Sequence, residues 1–147
     1  MAVFLQLEFD AYYIPPIAGN SEFSERIAAN NAEVEILKKL WKDFQHYQDQ
    51  ALPLLRQNGL KGITYYSMQE MLAAAIDTAI EIIERERVLF DPIIRLLEEL
   101  AANRQMPHET AYAKRSAIYG QHNRCSEFTS RIKRHLQTTL LINLQTG

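Results

Sequence analysis

Apolar residues that recur every three or four positions dominate this chain and constrain it to a helical fold. The first such series comprises Val34, Leu37, Trp41 and Phe44 and continues to the polar Gln48; the second comprises Leu72, Ala75, Ile76, Ala79, Ile80 and Ile83 and continues to Arg87; the third, in steps of seven and then four, comprises Ile118, Cys125, Ile132, Leu136 and Leu140. Each series lies along one face of an α-helix with 3.6 residues per turn. The sequence therefore predicts amphipathic helices around a shared core.

Helix-breaking residues set the predicted number of helices. Asn30-Asn31 and Pro53 can interrupt or end the first helix. Ser67 to Glu70 forms a capping box that opens a second helix, and Asp91-Pro92 restarts another that runs to about Ala102. Pro107 opens the last helix, which could reach Asn143. The predicted fold class is all-α, a bundle of four to five helices over residues 21–147.

The N-terminal stretch MAVFLQLEFDAYYIPP departs from this helical pattern. Apolar residues from Val3 to Phe9 alternate with polar ones, which predicts a short strand or an extended arm within residues 1–20. An isolated strand is marginal in water, and the only other β-prone segment is the short Ile63–Tyr66. We therefore expect this stretch either to add to a neighbour's sheet or to lie as an extended arm across the bundle or another subunit. The first interpretation is preferred, and it suggests a subunit of an assembly that is cut or translated from a longer polypeptide.

Composition limits the classes of protein that this chain can be. Its 147 residues are 47% hydrophobic, which suffices for one domain with its own core. The single Cys125 permits no internal disulfide, and no apolar run approaches the roughly 18 residues of a membrane span, so a cytoplasmic protein is expected. The four histidines lack metal-ligand spacing and the five glycines do not cluster, so neither a metal nor a cofactor is predicted.

Charge is distributed unevenly along the chain. Residues 1–103 hold 9 Lys and Arg against 16 Asp and Glu, a net charge of −7, whereas residues 104–147 hold 7 against 2, a net of +5. This pattern favours a polyanionic partner, although the two parts could also pack together and cancel. A run of acidic residues is predicted to face solvent: Asp77, Glu81, Glu84 and Glu86.

Two groups of basic residues are candidates for nucleic-acid binding. On the last helix, Arg124, Arg131 and Arg134 fall within about 80° of one another, with Lys114 at the edge of the same side, and could contact successive phosphates over roughly 15 Å. The second group, beside Trp41, comprises Lys38, Lys39 and Lys42. The alternative for both groups is a solvated helix face, and for Trp41 a place in the core.

An enzymatic alternative rests on one further pair. Arg115 and His122, with six residues between them, resemble the active-site motif of the all-helical HEPN ribonucleases, and Ser116 matches the polar residue that often follows the arginine. The resemblance implies that His122 activates a ribose 2′-hydroxyl and that Arg115 stabilises the developing phosphorane charge.

The basic helix face and the N-terminal stretch together suggest a larger resemblance. From Phe23 to Leu144 the predicted architecture resembles the small subunit of type I CRISPR surveillance complexes (Cascade), without a diagnostic motif. That resemblance implies a non-catalytic role in which several copies stabilise guide RNA and target DNA strands. The expected function is thus a nucleic-acid-contacting ribonucleoprotein subunit. The alternatives are a protein-interaction adaptor or scaffold and the ribonuclease.

Overall fold

The computed structural model builds the chain from three long helices. It describes the backbone of residues 7–19, 21–58 and 64–146, and the side chains of residues 7–19, 22–47, 49–50, 70, 73–128 and 130. The helices are α1 (Ser21–Asn58), α2 (Thr64–Ala102) and α3 (His108–Thr146), preceded by a 3₁₀ turn at Asp10–Tyr12. Each helix has 38 or 39 residues and is therefore roughly 57 Å long. The predicted all-α class is confirmed.

The described residues form three α-helices rather than the four to five predicted, because the expected breaks lie inside continuous helices. Helix α1 continues past Asn30-Asn31 and Pro53, and α2 continues through Pro92. A proline within a helix removes one backbone donor and crowds the preceding turn. Ile93 and Leu97 are nevertheless buried, so the helix keeps its apolar face in the core across the proline.

The helix starts also differ in detail from the prediction. Helix α2 begins at Thr64, three residues before the predicted cap Ser67, while Ile63 lies outside the described residues. At the start of α3, the carbonyl of Pro107 accepts from the backbone N–H of Ala111 at 3.0 Å. Pro107 therefore occupies the N-cap position, close to its predicted place at the first turn.

The turn between α2 and α3 closes with a Schellman motif. The N–H of Gln105 donates to the carbonyl of Leu100 at 2.8 Å, and the N–H of Arg104 donates to that of Ala101 at 3.1 Å. Arg104 has φ of 58°, the left-handed conformation that this motif requires and that glycine adopts without a steric penalty. The turn thus reverses the chain at a conformational cost.

The core lies where α2 packs against both other helices. Most described members of the apolar faces predicted from sequence are buried: Val34, Leu37 and Phe44 on α1, Ala75, Ala79 and Ile83 on α2, and Ile118 and Cys125 on α3. Trp41, Ile76 and Ile80 are half-buried, and Arg87 is exposed. An aromatic cluster joins α1 to α3 directly, with ring centroids 5.2 Å apart for Phe44 and Phe128 and 5.7 Å apart for Trp41 and Phe128. Burial of these faces is the main source of stability.

Residues 7–17, here called the arm, form an irregular segment with a 3₁₀ turn at Asp10–Tyr12. Their buried side chains are Leu7, Phe9, Tyr12 and Ile14. Polar contacts join Asp10 to Lys38, Ile14 to Asn31 and Ile17 to Ser24. Because the numbering rises along the arm as it falls along α1, the arm runs antiparallel to α1. It also contacts α3.

The expected strand that pairs outside the bundle is not seen in the part of the N-terminal stretch that the structure describes. None of the described residues is in a strand, and residues 7–17 are bound within this chain by core packing and by side-chain hydrogen bonds. The first half of the predicted strand, residues 3–6, lies outside the described residues. The arm therefore no longer argues for a neighbouring subunit.

Candidate nucleic-acid interface

Two asparagines of α1 hold the backbone of the arm. The side-chain amide of Asn31 accepts from the N–H of Ile14 at 3.0 Å and donates to the carbonyl of Ile14 at 2.8 Å. Asn30 Nδ2 donates to the carbonyl of Tyr12 at 2.9 Å. Asparagine often breaks a helix by bonding its own backbone, but here both side chains bond the arm instead. This explains why α1 continues through Asn30-Asn31.

A buried carboxylate joins the arm to α2 and α3. Glu86 is 1% exposed; its Oε2 accepts from the hydroxyl of Tyr12 at 2.7 Å, and its Oε1 lies 2.7 Å from Nδ1 of His122. Burial raises the pKa of Tyr12, and the charge of Glu86 adds to that rise, so the hydroxyl remains a donor. The expectation that Glu86 faces solvent was wrong, because it continues the buried face of Ala79 and Ile83 at helical spacing.

Two lysines flank the arm, one on each neighbouring helix. Nζ of Lys38 on α1 lies 3.0 Å from Oδ1 of Asp10, and its pKa is raised chiefly by that hydrogen bond. Nζ of Lys114 on α3 donates to the carbonyl of Tyr13 at 2.9 Å, and burial lowers its pKa. The ring of Tyr13 is 42% exposed on the arm between them. One cation of α1 and one of α3 thus contact the arm near an exposed tyrosine.

Two of the predicted binding residues border the same seam. Lys42 is exposed one helical turn after Lys38 and therefore on the same side of α1. Arg124 is exposed one turn before Phe128, whose ring contacts α1. Neither side chain has an ion pair within the described part of the chain. We call the surface formed by Tyr13, Lys38, Lys42, Lys114 and Arg124 the arm face.

The other residues predicted to bind nucleic acid do not belong to the arm face. Lys39 is exposed but lies about 100° around α1 from Lys38, at the outer margin of the arm face. Trp41 is packed in the aromatic cluster, stacked on Phe44 with centroids 5.4 Å apart, so its role is in the core. Arg131 and Arg134 belong to α3, but their side chains lie outside the described residues.

The pair proposed for ribonuclease chemistry faces α2. Arg115 Nη1 lies 3.8 Å from Oε1 of Glu98, while the ring of His122 stacks on Phe90 with centroids 4.0 Å apart. His122 is partly exposed, and the described part of the chain offers its Nε2 no hydrogen-bond partner. Each member of the pair is therefore held by a glutamate of α2, one of which is the buried Glu86.

Sequence analysis missed Tyr13 as a member of the arm face. The signal available was the dipeptide Tyr12-Tyr13 in an apolar stretch: an extended chain sends neighbouring side chains to opposite sides, so one ring can be buried while the other is exposed. The sequence did not indicate that this stretch packs against the helices of the same chain.

Comparisons with known proteins and searches for other kinds of site return no match. None of the helices, where they are described, is long and apolar enough to cross a membrane. The described residues also contain no group of three or more His, Cys, Asp or Glu side chains placed to hold a metal ion. Protein-family models, curated proteins and solved structures include nothing that matches this chain.

Proposed function

We propose that this chain is a non-catalytic helical subunit that contacts RNA or DNA through the arm face. The observation that carries the proposal is that Lys38 of α1 and Lys114 of α3 both contact the arm that carries the exposed Tyr13. The exposed Lys42 follows Lys38 by one helical turn, and the exposed Arg124 precedes Phe128, whose ring contacts α1, by one turn. Proteins that bind single strands combine cations along the phosphate backbone with aromatic rings on which bases stack. The arm face offers both.

The proposal keeps a ribonucleoprotein of the Cascade type as its family hypothesis and the cytoplasm as its location. The resemblance in architecture supports the family hypothesis, and the lone cysteine supports the cytoplasm; both reasons come from the sequence. A binding mode of this kind reads the phosphate backbone and tolerates many base sequences. It therefore suits a subunit that stabilises strands selected by other components.

The test is binding of labelled single-stranded RNA and DNA, measured by fluorescence anisotropy at several salt concentrations. Four cations on phosphates give a slope of log K against log salt of about −2.8, since each contributes about −0.7 on a single strand. The double variant Lys42→Gln, Arg124→Gln should bring the slope to about −1.4 and weaken binding at low salt. Tyr13→Ala should weaken binding at every salt concentration without changing the slope, because it removes stacking alone.

The matched control is a double variant of exposed arginines elsewhere, Arg87→Gln with Arg104→Gln. It should retain the wild-type slope. A second variant, with Arg124, Arg131 and Arg134 all changed to Ala, tests whether the whole α3 series contributes. Equal weakening by the control and by the arm-face variants would contradict the site. No affinity for any nucleic acid at low salt would favour the adaptor alternative.

A specific observation also favours the ribonuclease as a second candidate. A carboxylate on Nδ1 of a histidine fixes its orientation and leaves Nε2 to exchange a proton with a substrate, and Glu86 holds His122 in this way. His122→Ala should abolish RNA cleavage by the purified protein if this function is correct. RNA that stays intact in the wild-type reaction would remove the candidate.

A further inference from the structure

A groove of about 960 Å³ lies between α1 and α2, and its lining includes Asn30, which also donates to the arm. Ala29 lines the groove, whereas Asn31, two residues later and so about 200° around the helix, binds the arm. The floor of the groove is apolar and includes Leu89, Pro92 and Leu96. Val88 also lines the groove, and 76% of its surface is exposed. Contiguous apolar surface that is open to solvent is a feature of interaction sites.

Charges of opposite sign lie at the two ends of the groove. Toward the C-terminal part of α2 are Arg95 and the pair Arg26–Glu99; toward its N-terminal part are Glu81, Glu84 and the pair Arg85–Glu33. One end is therefore net positive and the other net negative. The lining holds three arginines and four glutamates, so its total charge is close to neutral. This surface has an apolar middle, a positive end and a negative end. When a second copy is rotated by 180°, its positive end meets the negative end of the first, so the surface is complementary to itself.

We infer that this groove binds a second copy of the same chain, with the two α2 helices antiparallel about a two-fold axis near Val88. In that arrangement Arg95 of each copy lies opposite Glu84 of the other, because the two residues are each roughly 8 Å from the midpoint between them along α2. A two-fold interface requires this reciprocity of contacts. Two helical hairpins packed face to face form a four-helix arrangement, which is a common way to bury such faces.

The proline in α2 adds a polar feature to the same surface. Pro92 has no N–H, so the carbonyl of Val88 lacks its helical donor, and both residues line the groove. A donor from the second copy, such as an arginine guanidinium, can satisfy that acceptor. The dimer leaves the arm face uncovered on each copy, so this inference stands independently of the proposed nucleic-acid binding.

The experiment is sedimentation equilibrium of the full chain over a range of concentrations. The wild-type protein should dimerise, and Val88→Glu should raise the dimer dissociation constant by about a hundredfold, because it places a charge in the apolar centre of the interface. Glu84→Arg alone and Arg95→Glu alone should each raise it by about tenfold or more through like charges. An equimolar mixture of these two single variants should form heterodimers, since both of its cross-contacts pair opposite charges. The double variant should dimerise like the wild type for the same reason.

Controls separate the interface from folding and from general charge effects. Far-UV circular dichroism should be unchanged in every variant because all three positions are exposed. Glu127→Arg, an exposed reversal on α3, should dimerise like the wild type. A wild type that stays monomeric at every concentration would overturn the inference. A dimer whose dissociation constant is unchanged in the groove variants would also overturn it. So would a monomeric wild type that binds a different protein, if Val88→Glu abolishes that binding.

Discussion

Removing one buried hydroxyl tests how the arm is held. In Tyr12→Phe the ring that fills the core is kept, but the hydrogen bond of 2.7 Å to Glu86 is lost. A hydrogen bond to a charged group contributes about 1.5–3 kcal/mol, and Glu86 is 1% exposed, so water cannot replace the lost donor without opening the site. We therefore expect the free energy of unfolding to fall by about 1.5–3 kcal/mol. For a chain of 147 residues the melting temperature should fall by about 3–12 °C.

The assay is urea unfolding followed by circular dichroism at equilibrium, with thermal melting as a second measurement. Tyr13→Phe is the matched control, because that ring lies exposed on the next residue, and it should change stability by less than about 0.5 kcal/mol. Two-state unfolding with an unchanged dependence on urea would show that the native surface is preserved. Equal stability of Tyr12→Phe and the wild type would refute the role assigned to Glu86 as the group that holds the arm.

Three further predictions concern other parts of the fold. Arg104→Gly should raise the free energy of unfolding by about 1 kcal/mol in the same urea assay, because glycine adopts the positive φ of the α2–α3 turn without a steric penalty; a destabilised variant would contradict this account of the turn. Phe128→Ala should cost about 3–5 kcal/mol, since it removes the ring that joins α3 to Phe44, and a loss below 1 kcal/mol would show that the cluster is not tightly packed. The hydrogen bond from Arg26 lowers the pKa of Glu99 in the folded chain. This pair therefore stabilises the fold at pH values above the ordinary pKa of 4.5, and the stabilisation is lost as the pH falls through the lower pKa of the folded state. The difference in the free energy of unfolding between wild type and Glu99→Gln should be present at neutral pH and vanish in acid.

Helical periodicity was a sufficient guide to the core and a poor guide to helix ends. The faces that contain Leu37, Ala79 and Ile118 were predicted correctly, because burial follows directly from a repeat of three to four residues. Pro92 was read as a boundary because its local penalty is known, whereas the burial that outweighs it depends on residues of other helices. Local signals therefore overestimated the number of helices.

The candidate site shows the same division between local and long-range information. Lys42 and Arg124 could be selected from charge and spacing alone, and both are exposed. That Lys38 pairs with Asp10 could not be predicted, because the path of the arm along α1 is fixed by tertiary contacts. Glu86 was misassigned for a different reason: its charge was weighed above its position on the buried face of α2, and its partners lie 74 and 36 residues away in sequence.

The most direct test of the proposed function is to locate the contact chemically. An RNA oligonucleotide that carries photoreactive uridines is crosslinked to the 147-residue chain at low salt, and the modified residue is identified by mass spectrometry. The account predicts crosslinks at Tyr13 that disappear at high salt and are reduced in the Lys42→Gln, Arg124→Gln variant. Crosslinks confined to the groove between α1 and α2, or RNA that crosslinks equally well in that variant, would contradict it.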